Sequence, residues 1–275
     1  MEIITDKIAG KIKAELKNKD NIVIFTHRNP DGDALGAALG LYHFLKSMNK
    51  NVKVISPNAY PEFLHWLPGD SKVIEYNKQK PLAKSLIAGA EILFHLDFNS
   101  LSRIREMEKA VLGNQRAVKI MVDHHPDPDP FADIQISDTR VSSTAELVYY
   151  LIKSLDQDSL SNKDICECLF TGIMTDTGCF SFNSSLPSTY EVVAQLLRSG
   201  MNKDRIFDMV YNNFTASRMK LLGFSLDQKM TVLPEYHTAY ISLTREEMKR
   251  YEFQSGDTEG FVNYPLSIKE LKKLV

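Results

Sequence analysis

Three short apolar runs, each ending in a histidine or an aspartate, limit what this chain can fold into. Ile22-Val23-Ile24-Phe25 runs into Thr26-His27-Arg28-Asn29-Pro30-Asp31-Gly32-Asp33. Ile92-Leu93-Phe94-His95-Leu96 ends at Asp97, and Val118-Lys119-Ile120-Met121-Val122 ends at Asp123-His124-His125. Runs this short and this apolar read as strands covered on both faces, as in a parallel sheet flanked by helices. Such sheets offer their ligand-binding groups at the carboxyl ends of the strands. Three polar clusters at three strand ends therefore predict one site on one sheet edge.

Helical patterns fill the intervals. Ile4, Ile8, Ile12 and Leu16 repeat every fourth residue and mark a helix over 3–17. Ala34–Met48 reads as a helix in which Leu35, Leu39 and Leu45 form one face and small residues allow close packing. Asn51–Ile55 reads as a further strand. Thr144–Leu155 reads as a helix with Ser142 or Ser143 as its N-cap, and Asp164–Thr175 as another, ending before Asp176. Alternating strand and helix predict an α/β class with a mostly parallel sheet flanked by helices. After about residue 186 the pattern changes. Ser188–Ser199, Lys203–Tyr211 and Ala216–Gln228 read as helices, Lys229–Pro234 and Thr238–Leu243 as a hairpin, and Thr244 as the cap of a helix over Arg245–Tyr251. The organisation expected is a first domain over 1–185, a helical linker over 186–225 and a smaller, incomplete α/β domain over 226–275.

The bulk composition narrows the function. With 33 basic and 35 acidic residues the formal net charge is −2, which argues against a protein that coats long duplex nucleic acid. A small anionic substrate remains compatible, because local cations or metals can attract it. The three cysteines, Cys166, Cys168 and Cys179, lack the spacing of a zinc site and read as reduced thiols. The N-terminus has neither the basic nor the apolar segment of a signal peptide, and no run approaches the roughly 18 apolar residues of a spanning helix. A cytoplasmic location without membrane association is expected.

The chemistry lies in the strand-end clusters. His27, Asp31 and Asp33 fall at i, i+4 and i+6 in a turn entering a helix, and imidazole nitrogen with carboxylate oxygen suits Mn²⁺ and related divalent ions. The competing reading is a capped turn in which Asp33 simply caps the next helix. Asp97 sits where a carboxylate could bridge two metals. His95, two residues earlier, is more plainly a half-buried strand histidine. Of the adjacent His124 and His125, one can ligate metal while the other meets substrate, with a nearby carboxylate orienting the ligating ring. Asp176, flanked by small residues at a helix end, can reach into a crowded site. Arg28 is placed either to contact phosphate or to face solvent.

HRNPDGDALG (27–36), the aspartate of FHLD (94–97), VDHHP (122–126), SSTAELV (142–148) and GIMTDTGCF (172–180) resemble, in order, the motifs of the DHH phosphoesterase superfamily. The similarity is greatest to its bacterial nano-RNases and 3′-phosphoadenosine-5′-phosphate (pAp) phosphatases, relatives of RecJ-type exonucleases. It spans about residues 20–185. It implies two Mn²⁺ ions, with Mg²⁺ or Co²⁺ as substitutes: one held by His27, Asp31 and Asp97, the other by Asp33, Asp97, His124 and Asp176, with Asp97 bridging. His125 would face the substrate phosphate or a metal-activated water, and His125 and Asp123 are the catalytic candidates. The substrates implied are short RNA and pAp, then linear or cyclic dinucleotides, then pyrophosphate or polyphosphate; a non-catalytic nucleotide-binding remnant is the rival from another class. The resemblance also implies a homodimer, and a glycine-rich, histidine-ended motif in the second domain. That motif is not present up to Val275, so a shortened second domain is expected.

Overall fold

The computed structural model describes residues 3–254 and 256–271. Lys272–Val275, the end of the segment read above as the start of a second domain, lie outside the described residues. The chain divides into two compact units. The larger comprises 1–60 and 64–207, and the smaller comprises 61–63 and 208–275.

In the larger unit, helix α1 (Asp6–Asn18) precedes strand β1 (Asn21–Phe25), and helix α2 (Gly32–Ser47) leads to β2 (Asn51–Ser56). Then follow β3 (Val73–Glu75), α3 (Lys80–Gly89), β4 (Ile92–Leu96), α4 (Glu108–Gly113), β5 (Val118–Asp123) and β6 (Ile134–Ser137). Helices α5 (Thr144–Leu155), α6 (Lys163–Asp176) and α7 (Pro187–Leu197) complete the layer, and α8 (Lys203–Tyr211) contains the boundary between the units. All six strands are parallel, in the order β3-β2-β1-β4-β5-β6. Chain order reverses between β1 and β4, and a crevice opens at the carboxyl ends of strands at such a switch point. Phe25 pairs with His95 in register, so the segments leaving β1 and β4 emerge side by side.

The central strands carry the apolar runs because helices cover them on both faces. Ile92 through Leu96 are buried without interruption, as are Ile22 through Phe25. Each such aliphatic side chain contributes on the order of 1.5–3 kcal/mol through burial. His95 lies inside this core. It stacks on Phe25 with centroids 5.3 Å apart and meets Phe98 and Phe131 edge-on, and neither ring nitrogen has a partner among the described residues. Burial holds its pKa down to about 3, so the ring is neutral.

Helices α2 and α6 pack at backbone distance. A Cβ on Gly36 would stand 2.5 Å from the Cys168 carbonyl oxygen and 2.8 Å from the Gly172 nitrogen. This contact brings the first turn of α2 and the last turn of α6 to the same end of the sheet.

In the smaller unit, α9 (Ala216–Phe224) passes through a wider π-type turn at Ser225–Lys229 into the antiparallel pair β7 (Met230–Leu233) and β8 (Thr238–Ile241). Thr244 caps α10 (Arg245–Arg250) in a reciprocal box with Glu247. Helices α7 and the start of α8 belong to the larger unit, within the span 186–225 that the sequence reading treats as a linker. Among the described residues, no helix is long and apolar enough to cross a membrane.

Candidate metal centre

The turn after β1 places the first cluster. Asp31 Oδ1 accepts hydrogen bonds from the amides of Asp33 and Ala34, each at 3.0 Å, so Asp31 is the N-cap of α2. The capped-turn alternative named Asp33 for this role. The cap uses one oxygen of Asp31 and leaves Oδ2 facing His27 Nε2 at 3.8 Å. The Nδ1 of His27 lies 2.9 Å from the Arg28 carbonyl, which accepts its proton and frees Nε2 for the site.

Asp33 occupies the first turn of α2 and is buried. Its carboxylate is gripped by the start of α5, with the Thr144 amide donating to Oδ2 at 2.7 Å and the Ala145 amide to Oδ1 at 2.8 Å. Orphan amides and the positive pole of a helix N-terminus favour an anion there. Ser143 caps this helix through the Glu146 amide, and Glu146 reaches back to the Ser142 amide and hydroxyl. The sequence motif SSTAE thus sets the pose of Asp33, where pattern reading gave it only the cap of the helix.

Asp97 leaves β4 in a left-handed backbone conformation, φ 65°, which turns its side chain into the crevice while His95 stays in the core. Its two oxygens face opposite ways. Oδ2 is 3.3 Å from His27 Nε2, and Oδ1 is 3.7 Å from both His124 Nε2 and His125 Nδ1. The Thr144 hydroxyl donates to Oδ1 at 2.9 Å. His124 Nε2 is also 3.9 Å from Asp33 Oδ2 and 3.5 Å from Asp176 Oδ2.

Three overlapping donor triads result: His27–Asp31–Asp97, Asp33–His124–Asp176 and Asp97–His124–His125, with donor atoms within 4.8 Å of one another in each. The residues selected from sequence, His27, Asp31, Asp33, Asp97, His124 and Asp176, are thus together. His125 stands at the rim, its Nδ1 2.8 Å from Asp123 Oδ1. Asp123 is buried, and its other oxygen has no partner among the described residues.

The electrostatics are those of carboxylates buried and crowded together. Burial, then Asp97, Asp176 and Asp31, push Asp33 well above the carboxylate range. Burial, then Asp97 and Asp31, raise Asp176 to about 7. Burial pulls His27 down, but Asp31 and Asp97 outweigh it and lift the imidazole to about 10. Burial likewise opposes Asp97, yet His27, His124 and His125 hold it at about 2. Burial lowers His124, whereas the Asp123 hydrogen bond raises His125. Bound protons offset part of this charge. A divalent ion bound by imidazole nitrogen and carboxylate oxygen would do so more completely, and the donor set fits one.

The DHH family N-terminal domain matches residues 21–173, more than half of the chain. The chain belongs to the DHH family. An exopolyphosphatase-related protein from Bacteroides fragilis shares the architecture with a TM-score of 0.94 and 44% identity, over 98% of this chain and 79% of that one. An uncharacterized protein of Mycoplasma pneumoniae, the MG371 homolog, is 31% identical over 198 residues, 72% of this chain and 57% of its own length. The bifunctional oligoribonuclease and PAP phosphatase NrnA of Thermus thermophilus is 29% identical over 243 residues, 88% of this chain and 68% of its own length. This chain therefore spans between about half and two thirds of these curated relatives.

Proposed function

We propose that this protein is a phosphoesterase using two divalent ions, Mn²⁺ by preference, to hydrolyse short oligoribonucleotides and pAp. The observation that carries the reading is Asp97. Its Oδ2 addresses the His27 side and its Oδ1 the His124 side, so one buried carboxylate belongs to two of the three triads, His27–Asp31–Asp97 and Asp97–His124–His125. His27 Nε2, Asp31 Oδ2 and Asp97 Oδ2 would hold one ion. Asp33, Asp97 Oδ1, His124 Nε2 and Asp176 would hold the other. Bound there, two ions supply charge neutralisation for a phosphate and lower the pKa of water toward neutrality.

The chain's own groups do the remainder. Asp123 Oδ1 accepts the Nδ1 proton of His125 and keeps that imidazole protonated toward higher pH. His125 is partly exposed, and its Nε2 can hold a proton for the departing oxygen of the substrate. Thr144 and Ala145 orient Asp33, and the Thr144 hydroxyl orients Asp97, so the acids do not reorganise when substrate arrives. The nucleotide substrates are supported by the T. thermophilus relative, named an oligoribonuclease and PAP phosphatase, while the exopolyphosphatase-related name of the B. fragilis protein supports a phosphoanhydride as the second reading.

The test is phosphate release from pAp and mononucleotide release from oligoribonucleotides of about two to five residues, using the full chain with Mn²⁺. Turnover that stops on chelation is expected. No product from either substrate, nor from a generic phosphodiester, would refute the reading.

A further inference from the structure

A cavity of about 290 Å³ opens beside the metal centre, within the larger unit. Its walls are the segments leaving β1, β2, β3 and β4: Arg28, Asn58, Tyr76 with Asn77, and the stretch Ile104–Met107. Arg28 follows His27 directly, so the two Cα atoms are about 3.8 Å apart. The imidazole of His27 faces the acid cluster while Arg28 lines the cavity.

The chemistry of this cavity is opposite to that of the centre. Arg28 and Arg105 bring two guanidinium groups to it, and neither has an acidic partner among the described residues. Glu106, the acid in the wall, is engaged by Lys80 at 2.6 Å. Lys80 also lies over the ring of Tyr76 at 5.9 Å. The lining therefore carries Arg28 and Arg105 against Glu106, and Lys80 outside it offsets the charge of Glu106. Two features show the walls to be built. Arg105, at a kink between two short helical turns, has φ 49° and ψ −116°, a conformation that costs a non-glycine residue energy and that the surrounding structure must hold in place. Asn29 and Asn58 lock the β1 and β2 exits together, amide to side chain at 2.8 Å and side chain to side chain at 3.0 Å, and the Arg28 amide is tied to the Arg103 carbonyl at 2.9 Å. The two arginine-bearing segments are thus pinned to each other by backbone. Ile104 and Met107 lend an apolar floor beneath the charges.

We infer that this cavity receives a non-scissile phosphate of the substrate, one nucleoside away from the phosphate attacked at the metal centre, with Arg28 and Arg105 as its ligands. Guanidinium groups bind phosphate through paired N–H donors, and a cavity this size holds a phosphate with part of its sugar. The inference rests on the phosphoesterase reading and adds what that reading lacks, a means of preferring nucleotides with two phosphates. Arg28 and Arg105 act as specificity residues and take no part in the bond cleavage.

The test is binding, separate from turnover. Adenosine 5′-monophosphate and adenosine are titrated calorimetrically into the full chain in EDTA, where no ion-dependent hydrolysis occurs. The two differ only in the phosphate, which the acid cluster repels, so a gain in affinity reports the cavity. The wild type is expected to bind the monophosphate at least about tenfold more tightly, the strength of one or two charge-assisted hydrogen bonds. Arg28→Ala and Arg105→Ala should each remove most of that ratio, and Arg28→Lys should recover part of it. Equal affinity of the wild type for the two ligands would overturn the inference, as would a ratio unchanged in both alanine variants. A 5′-phosphorylated diadenylate against its unphosphorylated form shows whether the phosphate of an RNA end is accepted as well as that of a mononucleotide. Because hydrolysis is assayed separately, failure here and failure of the phosphoesterase reading give different results.

Discussion

Thr144 holds two acids at once, its hydroxyl on Asp97 and its amide on Asp33. Removing the hydroxyl while keeping the shape should free Asp97 without disturbing the helix cap, which belongs to Ser143. Thr144→Val is therefore expected to weaken Mn²⁺ binding by about 10–100-fold, the usual effect of losing a group that orients a ligand. Its melting temperature should stay near wild type. Unchanged Mn²⁺ affinity would show that Asp97 needs no such support. At this scale the sequence points to the residues that the structure gathers, and is silent about their supports. His27, Asp31, Asp33, Asp97, His124 and Asp176 are chemically distinctive residues at strand or helix ends. The amides of Thr144 and Ala145 carry no side-chain signature, and the turn of Asp97 into φ 65° is set by the fold. The choice of Asp31 over Asp33 as cap was equally hidden, because either aspartate fits a cap by composition.

Among elements, α2 and α6 depend on glycine. Gly36→Ala would put a methyl group 2.5 Å from a backbone carbonyl of α6, and overpacking of this kind costs about 1–3 kcal/mol. Such a loss should appear as a lower midpoint in urea unfolding; an unaltered midpoint would contradict the close crossing. Strand β4 offers a second test through His95. The folded chain keeps this ring neutral down to about pH 3, whereas the unfolded chain protonates it near its ordinary value of 6.5. As pH falls through that window the unfolded state binds the extra proton, so stability declines, by at most about 1.4 kcal/mol per pH unit from this group. His95→Phe should flatten the acid limb of the stability profile relative to wild type. Parallel profiles would mean that the histidine is hydrated. Strands β1, β4 and β5 were legible because both faces are buried and the runs are continuous. Strands β3 and β6 escaped because they are short edge strands of three and four residues with partly exposed side chains. Helix α3, opening Lys80-Pro81, lies in a stretch that the pattern left unassigned.

For the whole molecule, the sheet order explains the location of the site. The switch between β1 and β4 places His27 beside Asp97, and the α2–α6 contact adds Asp33 and Asp176 from the other layer. Burial and mutual repulsion favour protons on the clustered acids. His27, raised to about 10, adds stability that is complete below its unfolded value of 6.5 and is lost as pH rises toward 10. Asp176, raised to about 7 from 3.8, acts in the same direction at lower pH. Ions compete with those protons, so the rise in melting temperature on adding Mn²⁺ should be larger at about pH 8.5 than at about pH 6.5. An increment independent of pH would mean that these groups do not take the metal.

The bridging role proposed for Asp97 is the point on which the account stands. Mn²⁺ bound per chain, counted by metal analysis after equilibrium dialysis of wild type and Asp97→Asn, tests it most directly. Two ions per wild-type chain, with both lost or weakened at least about 100-fold in Asp97→Asn, is the result expected. One ion or none in the wild type, or two ions retained in Asp97→Asn, would contradict it.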